Sequence, residues 1–305
     1  MSSHPTLPVI CLMGPTASGK TRLAVELASE LEAEVVSVDS AQVYRGMDIG
    51  TAKPDADEMQ GIAHHLIDIR DPAEPYSAAD FRQDVIARVA EIQGRGHRVI
   101  LAGGTMLYFK ALKEGIAKMP PASQEIRYQI TLEAQQSGWP SVHEQLAAVD
   151  PVAAARINPN DPQRLQRALE VYRISGKTLT AWQAQEMESC PFQLQELAIF
   201  PEDRALVHQK IEARFQQMLE KGFADEVTAL HQRGDLNPKL PSIKSVGYRQ
   251  MWCYLEGEYD FETMRFKAVV ATRQLAKRQF TWLRSWQDLH LLQYPSTLEA
   301  LKILS

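Results

Sequence analysis

The feature that most constrains this chain is a glycine-rich pattern near its N-terminus. Eight consecutive residues satisfy the pattern G-x-x-x-x-G-K-[ST], and they are Gly14, Pro15, Thr16, Ala17, Ser18, Gly19, Lys20 and Thr21. An apolar run at 7–13 precedes them and is typical of a strand buried on both faces, and apolar residues at helical spacing follow from Lys20. The sequence therefore predicts a strand, a phosphate-binding loop and a helix in succession, and we call the eight residues the 14–21 loop.

Each part of the 14–21 loop suits a phosphate compound. The glycines let backbone amides and the helix N-terminus point at an anion, Lys20 neutralises its charge, and the Thr21 hydroxyl is a candidate ligand for Mg²⁺. The pattern does not decide which compound is held, because a nucleotide such as ATP and any other pyrophosphate ester satisfy the same amides.

Alternating strands and helices follow this first unit. Strands are predicted at 34–38, 98–102, 196–200 and near 289–292, and helices at 78–92, 204–233 and 261–286. Between 115 and 196 the pattern is helical, without clear strands. We therefore expect an α/β fold, a P-loop NTPase-like parallel sheet flanked by helices, whose core domain comprises 1–114 and 197–305 and carries a helical insertion domain at 115–196.

Charge and cysteine content exclude several classes of function. The net charge of -5 argues against indiscriminate nucleic-acid binding. Cys11, Cys190 and Cys253 are too scattered to predict a disulfide framework or a zinc site, and the pair His64-His65 has no further ligand at suitable spacing.

No apolar run reaches the roughly 20 residues of a membrane span, and residues 1–5 lack the layout of a signal peptide. A cytoplasmic protein is expected.

Asp39 is the first candidate for catalysis outside the loop, because it ends the second predicted strand, at the sheet edge where ligands bind in open α/β folds. There its carboxylate could take a proton from an attacking group, organise Mg²⁺, or simply cap the end of the strand. The position of Asp39 alone does not exclude a small-molecule kinase as the function of this protein.

Five segments of the sequence reduce the number of possible functions. The 14–21 loop, 39–54, 103–108, 161–172 and 245–250 resemble, in order, those of the bacterial tRNA dimethylallyltransferase family. The resemblance implies that a dimethylallyl group passes from dimethylallyl diphosphate to the exocyclic amine of adenosine 37, next to the tRNA anticodon, and that diphosphate leaves. Enzymes that prenylate free adenine nucleotides, a kinase, and a nucleotide-gated RNA-binding switch without chemistry remain as alternatives.

The resemblance also implies roles for single residues. Asp39 would act as general base, Thr105 would hydrogen-bond a phosphate or the incoming base, and Arg214 would stabilise the leaving diphosphate, with Mg²⁺ at Thr21. A helix N-cap is the alternative for Thr105, and an ordinary surface charge for Arg214.

The implied contacts with the tRNA anticodon stem-loop come from five places in the chain. They are Asp39, Ser40, Ala41, Gln42, Thr105, Arg127, Gln163, Arg164, Leu165, Gln166, Arg167, Lys244, Ser245, Val246, Gly247, Tyr248 and Arg249. A loop base suits such an enzyme, because an unpaired base is extracted at least cost. We expect a monomer.

A local positive patch is also present near the C-terminus. Between 263 and 286 the chain has no acidic residue and six basic ones, Arg265, Lys267, Arg273, Lys277, Arg278 and Arg284. The patch predicts contact with a phosphate backbone, or else a solvated helix face whose charges pair with acids elsewhere.

Overall fold

A computed structural model describes residues 7–185 and 187–305, so residues 1–5, considered above for a signal peptide, lie outside the described part. The chain divides into two compact units, Met1–Lys113 with Cys190–Ser305, called the core, and Glu114–Ser189, called the insert. The core thus resumes at residue 190 rather than at 197 as predicted, because its fifth strand already begins at Leu194.

The core is built on one parallel sheet. Its strands are β1 (Val9–Met13), β2 (Ala33–Val38), β3 (His64–His65), β4 (Arg98–Gly103), β5 (Leu194–Ile199) and β6 (His290–Leu292). They lie in the order β3-β2-β4-β1-β5-β6, and every neighbouring pair is parallel. All five residues of β1 are buried, as its apolar sequence predicts for a central strand. The predicted fold class is confirmed.

Helices cover both faces of this sheet. In the core they are α1 (Lys20–Leu31), α2 (Ala56–Met59), α3 (Ala78–Gly94), α4 (Met106–Glu114, which reaches the first residue of the insert), α9 (Arg204–Glu220), α10 (Phe223–Gln232), α11 (Tyr248–Leu255), α12 (Phe261–Ser285) and α13 (Thr297–Leu304). Ile10 and Leu12 pack in the cluster with Leu23 and Leu27 of α1, whereas the alternate residues Val9 and Met13 belong to a larger cluster with the other helices. The alternation of strand side chains therefore gives two apolar layers.

The predicted helical stretch 204–233 consists of two helices, α9 and α10. Gly222 separates them with a left-handed backbone, φ 96°, which glycine adopts readily. Several core elements escaped prediction: α2, α4 and α13, the two-residue strand β3, and α11, which follows a turn through Gly247 at φ 91°.

The insert is helical. Its helices are α5 (Gln124–Val149), α6 (Pro151–Arg156), α7 (Pro162–Ser175) and α8 (Leu179–Gln183). A kink interrupts α5 at Gly138, whose φ of 81° lies outside the helical region two residues before Pro140. Ile130, Leu146 and Leu165 contribute to a separate apolar cluster, so the insert has its own small core.

Candidate functional site

Three loops meet at the carboxyl edge of the sheet, because all the strands are parallel. The 14–21 loop follows β1, Asp39 follows β2, and Gly104 and Thr105 follow β4. This is the edge at which open α/β sheets bind ligands.

The 14–21 loop makes the turn that its glycines predict. Gly19 caps α1 with φ 89°, and Ala17 also has a positive φ, 61°, which is uncommon for a residue with a Cβ. The Lys20 Nζ donates to the carbonyl oxygen of Pro15 at 3.1 Å, so the side chain folds back over its own loop. The Ser18 hydroxyl is buried and has no hydrogen-bond partner among the residues that the structure describes.

The electrostatics around this loop favour an anion. Burial, and then the neighbouring Arg214, lower the pKa of Lys20 to about 8, against the opposing influence of Asp39. Burial likewise lowers the pKa of Arg214, and Asp39 and Glu58 partly counter it. Among the described residues no hydrogen bond or ion pair engages the Arg214 guanidinium. Two cations therefore lie close together with little local compensation.

Asp39 and Thr105 lie on adjacent loops. One oxygen of Asp39, Oδ1, accepts the amide N–H of Ala41 at 2.8 Å. The Thr105 hydroxyl accepts the amide N–H of Ser40 at 3.0 Å, and the Thr105 amide donates to Val38 at 3.2 Å. Asp39 is thus held by its own turn, and Thr105 fixes that turn from the neighbouring strand.

A cavity of about 170 Å³ connects these groups, and we call it the inner cavity. Its lining comprises Thr16, Lys20, Thr21, Ala24, Val35, Ser37, Asp39, Ala41, Gln42, Gly50, Thr51, Pro54, His64, Ile67, Ala102, Gly103, Arg214, Ser245, Val246, Thr272, Leu275 and Gln279. It therefore brings together predicted residues from the 14–21 loop, the Asp39 turn, α9 and the segment before α11. Thr105 is not part of this lining.

A second space, the outer cavity of about 770 Å³, shares Lys20, Thr21 and Arg214 with the first. Its lining includes Lys210, Arg214 and Gln217 of α9 and Lys221, which caps the C-terminal end of that helix. Their spacing of three or four residues places them on one face of the helix, so α9 presents a basic stripe to the 14–21 loop. Arg214 lies within this stripe, in a cavity wall rather than on an ordinary exposed helix face.

One wall of both cavities is the loop 48–54, and Glu226 of α10 holds it. The Glu226 carboxylate accepts the amide N–H groups of Asp48, Ile49 and Gly50 at 2.8, 2.7 and 3.1 Å, and the Tyr248 hydroxyl at 2.5 Å. Three successive amides aimed at one carboxylate form an anion-binding nest. Sequence reasoning missed Glu226, and an acid in a helix gives no signal of a partner so distant in the chain.

Gly50 lies where this wall meets the aromatic core. A Cβ at Gly50 would lie 2.2 Å from the Phe223 ring and 2.5 Å from the Tyr248 ring. Only glycine fits without displacing one of those rings.

The predicted RNA-contact segment 244–249 divides in two. Ser245 and Val246 line the inner cavity, and Lys244 and Arg249 are exposed. Tyr248 is fully buried, and burial together with Glu226 raises the pKa of its hydroxyl. The segment therefore offers two charges at the surface and two small side chains to the cavity, while Tyr248 anchors it.

In the insert, the residues predicted to contact tRNA have several protein partners. Arg127 and Arg167 both bind the carboxylate of Glu170, at 2.8 and 2.7 Å, and Glu170 is 0% exposed. Burial would raise the pKa of Glu170, but hydrogen bonds from the two arginines hold it below its ordinary value.

Their neighbours on α7 differ in exposure. Gln166 donates to the Arg127 carbonyl and the Thr131 hydroxyl, both at 3.0 Å. Leu165 is fully buried, so any contact of Leu165 with RNA would have to come from its backbone. Gln163 and Arg164 are exposed, and Arg164 pairs with Asp161 at 3.4 Å. These assignments to tRNA stay predictions.

The positive patch of α12 is partly compensated. Arg273 pairs with Glu212 at 3.0 Å and Arg265 with Glu262 at 3.3 Å. Lys267 lies over the Tyr259 ring and Arg284 over the Phe200 ring. Lys277 and Arg278 are exposed. Two of the six basic residues therefore pair with acids and two lie over aromatic rings, and contact of the patch with a phosphate backbone stays a prediction.

Gln279 of α12 is a further residue that sequence reasoning missed. Its side chain accepts the Thr16 amide N–H and donates to the Gly104 carbonyl, each at 2.9 Å. A glutamine among apolar residues of a helix signals burial at most, because both partners lie far away in the chain.

Other sequence-level expectations concern metals and membranes. In the described part of the chain no group of three or more His, Cys, Asp or Glu side chains is arranged to hold a metal ion. Cys11 is buried, whereas Cys190 and Cys253 are partly exposed thiols. None of the described helices combines the length and apolarity that crossing a membrane requires.

Comparison with known proteins gives consistent results. The model of the IPP transferase family matches residues 42–286. The crystal structure of the full-length tRNA isopentenylpyrophosphate transferase of Bacillus halodurans is 36% identical, with 97% of this chain and 93% of that chain covered and a TM-score of 0.70. The tRNA isopentenylpyrophosphate transferase of Staphylococcus epidermidis is 33% identical, with 97% and 96% covered and a TM-score of 0.68.

A eukaryotic dimethylallyltransferase acting on tRNA is also similar in structure. It is 26% identical, with 96% of this chain and 75% of that chain covered, and its TM-score is 0.78. The likeness extends over nearly the whole of this chain, both core and insert. Together with the family match over residues 42–286, it confirms the transferase class predicted from the five sequence blocks: the chain belongs to the IPP transferase family.

Proposed function

We propose that this enzyme transfers a dimethylallyl group from dimethylallyl diphosphate to the exocyclic amine of adenosine 37 in tRNA and releases diphosphate. The observation that carries the proposal is the lining of the inner cavity, in which Lys20, Thr21 and Arg214 share one space with Asp39. Cations for a leaving group and a base for a nucleophile are thus brought together in one enclosure.

The 14–21 loop would hold the diphosphate. Cleavage of the allylic carbon–oxygen bond leaves negative charge on the departing diphosphate, and Lys20, Arg214 and the loop amides would stabilise that charge as it develops. The pKa of Lys20 is low, and no acid binds Arg214 in the described structure. Both properties are those expected of cations that bind an anionic ligand.

Magnesium fits the same position. Mg²⁺ in such sites uses one or two protein oxygens and completes its shell with substrate phosphates and waters, so a dedicated cluster of acids is not required. The Thr21 hydroxyl, on the lining of both cavities, would be its protein ligand. When bound, the ion would neutralise charge on the leaving diphosphate.

Asp39 would accept the proton of the acceptor. An adenine amine is a poor nucleophile because its lone pair is delocalised into the ring. As the nitrogen–carbon bond forms and the carbon–oxygen bond breaks, one amine proton passes to the Asp39 carboxylate. Its Oδ1 is engaged by Ala41, which fixes the group in place.

The tRNA would approach with a loop base turned out of its stack. Ser40 to Gln42, Thr105 and the segment 244–249 would surround that base, and Arg127, Arg167 and the exposed Gln163 and Arg164 of the insert would contact the RNA backbone. Cytoplasmic location and a monomeric state remain predictions.

One assay separates this proposal from its alternatives. The enzyme is incubated with labelled dimethylallyl diphosphate and either tRNA or AMP, and in parallel with ATP and a set of small-molecule acceptors. Label in tRNA supports the proposal, whereas label in AMP alone or phosphate transfer from ATP contradicts it. Nucleotide-dependent tRNA affinity without any product would indicate a binding switch.

The base assignment is tested with Asp39→Asn, which keeps an acceptor for the Ala41 amide but removes the base. We expect kcat to fall about 10²–10⁴-fold while the dissociation constant of dimethylallyl diphosphate stays unchanged. Glu30→Gln, at an exposed position of α1, is the charge-matched control. Full turnover in Asp39→Asn would refute the assignment.

A further inference from the structure

Gln279 is a buried polar side chain between two loops of the site. It is 7% exposed, and both ends of its amide are satisfied: Oε1 accepts the Thr16 amide N–H, and Nε2 donates to the Gly104 carbonyl, each at 2.9 Å. Buried polar groups are stable where they are hydrogen-bonded in this way. The side chain also lines the inner cavity.

The two loops it joins belong to different strands. Thr16 is in the 14–21 loop after β1, and Gly104 follows β4, the strand paired with β1. Gly104 leads directly into Thr105, whose hydroxyl accepts the Ser40 amide N–H beside Asp39. A single amide from α12 therefore connects the loop proposed for the leaving group to the turn that carries the proposed base.

Packing leaves little freedom at this junction. A Cβ on Gly104 would lie 2.3 Å from the Gln279 Nε2 and 3.2 Å from the carbonyl oxygen of Gly14. Real Cβ atoms do not approach that closely, so the glutamine lies directly on the backbone of Gly104. Beyond the paired ends of β1 and β4, this one side chain spans the gap between Thr16 and Gly104.

We propose that Gln279 is a positioning residue that sets the distance between the diphosphate held by the 14–21 loop and the acceptor amine held near Asp39. The proposal rests on the function proposed above. It requires no contact between Gln279 and the reacting atoms, because its effect passes through Thr16 and Gly104. A misplacement of about 1 Å between reacting groups lowers a rate about 10²-fold.

Two variants change the bridge in different ways. Gln279→Leu keeps the volume and removes both hydrogen bonds, and Gln279→Asn keeps the amide but is one methylene too short to reach both loops. Gln274→Leu, at an exposed position of the same helix, is the matched control.

The measurements are kcat and KM for tRNA prenylation, the dissociation constant of dimethylallyl diphosphate, and the thermal midpoint. We expect kcat to fall about 10²-fold in both Gln279 variants, with the dissociation constant changed less than about threefold, whereas Gln274→Leu behaves as wild type. A merely structural role would lower the thermal midpoint and leave kcat intact at temperatures well below it.

The outcomes separate the two proposals. If wild type prenylates tRNA and both Gln279 variants keep its kcat, the positioning role is refuted. If Gln279→Leu does not fold, Gln279→Asn decides on the same criterion. Absence of prenylated tRNA from the wild-type enzyme would instead refute the proposed function.

Discussion

The core and the insert each bring two cations together, but they treat the resulting charge in opposite ways. In the core, burial and then the neighbouring Arg214 lower the pKa of Lys20 to about 8. In the insert, Arg127 and Arg167 share the buried carboxylate of Glu170, which also accepts the Ser123 amide at 2.8 Å. In the described structure no acid forms an ion pair with the first pair, whereas the second pair joins α5 to α7.

The difference teaches how to interpret a basic residue near a site. A cation without an acid beside it destabilises the free protein and gains its partner only on binding. A cation bound to a buried acid contributes to folding, and its remaining donors are all that a ligand can use. The two pairs should therefore respond to substitution with opposite signs of stability change.

The largest expected effect is at Glu170. Glu170→Gln leaves two arginines without their shared carboxylate, and breaking a buried ion pair from one side typically lowers the free energy of unfolding by about 3–5 kcal/mol. Hydrogen exchange of amides in α5 and α7 and urea unfolding would measure it.

Glu133→Gln is the matched control for that experiment, because Glu133 binds Arg173 at the surface of the insert, at 2.8 Å. Exposed pairs contribute about 0–1 kcal/mol, so its effect should be several times smaller. Equal effects of the two variants would remove the distinction between a buried and an exposed pair.

Lys20→Met should act in the opposite direction on stability. The pKa of Lys20 is about 8 in the folded state against 10.5 as its ordinary value, so protonation of this half-buried group disfavours folding. We expect ligand-free Lys20→Met to be more stable at pH 7 by about 1–3 kcal/mol, while binding of dimethylallyl diphosphate is lost. A lowered stability would contradict this account of the core pair.

The same pKa predicts how stability and binding depend on pH. Below about pH 8 both folded and unfolded chains carry the proton and the unfavourable contribution is complete. Between pH 8 and 10.5 the unfolded chain binds more protons, so the Lys20 contribution to stability rises with pH. Affinity for the diphosphate should change in the other direction, falling above about pH 8 because the cation is lost. Urea unfolding from pH 7 to 9.5, with Lys20→Met as reference, measures the trend in stability, and titration calorimetry of the wild type over the same range measures the trend in affinity.

The smallest expected effect is at Arg164, whose side chain is 72% exposed beside Asp161. Arg164→Ala should change the free energy of unfolding by less than about 0.5 kcal/mol. If Arg164 contacts a tRNA phosphate, the slope of log affinity against log salt should become shallower by about 0.7–0.9. Arg88→Ala, which removes a partly exposed arginine of α3 in the core, should leave the slope unchanged.

The strand, loop and helix around Gly14 to Thr21 could be predicted because local signals agree: an apolar run, glycines at fixed positions and helical spacing. Helix α11 could not be predicted, because it is short and depends on the turn at Gly247. Strand β3 could not be predicted, because it has only two residues. Gln279 and Glu226 were missed because their partners are 263 and up to 178 residues away in sequence. The resemblance predicts Arg127 and Arg167 as tRNA contacts, but the buried acid that they share becomes visible only in the fold.

The close contact at Gly50 has a consequence for how this enzyme can diverge. Any side chain at position 50 would collide with the rings of both Phe223 and Tyr248, and Tyr248 in turn donates to the carboxylate of Glu226 that holds the Gly50 amide. Substitution of one of these residues therefore depends on the other two. A larger residue at position 50 would fit only if smaller side chains replaced both Phe223 and Tyr248. We therefore expect Gly50, Phe223 and Tyr248 to be substituted together in related enzymes, or not at all.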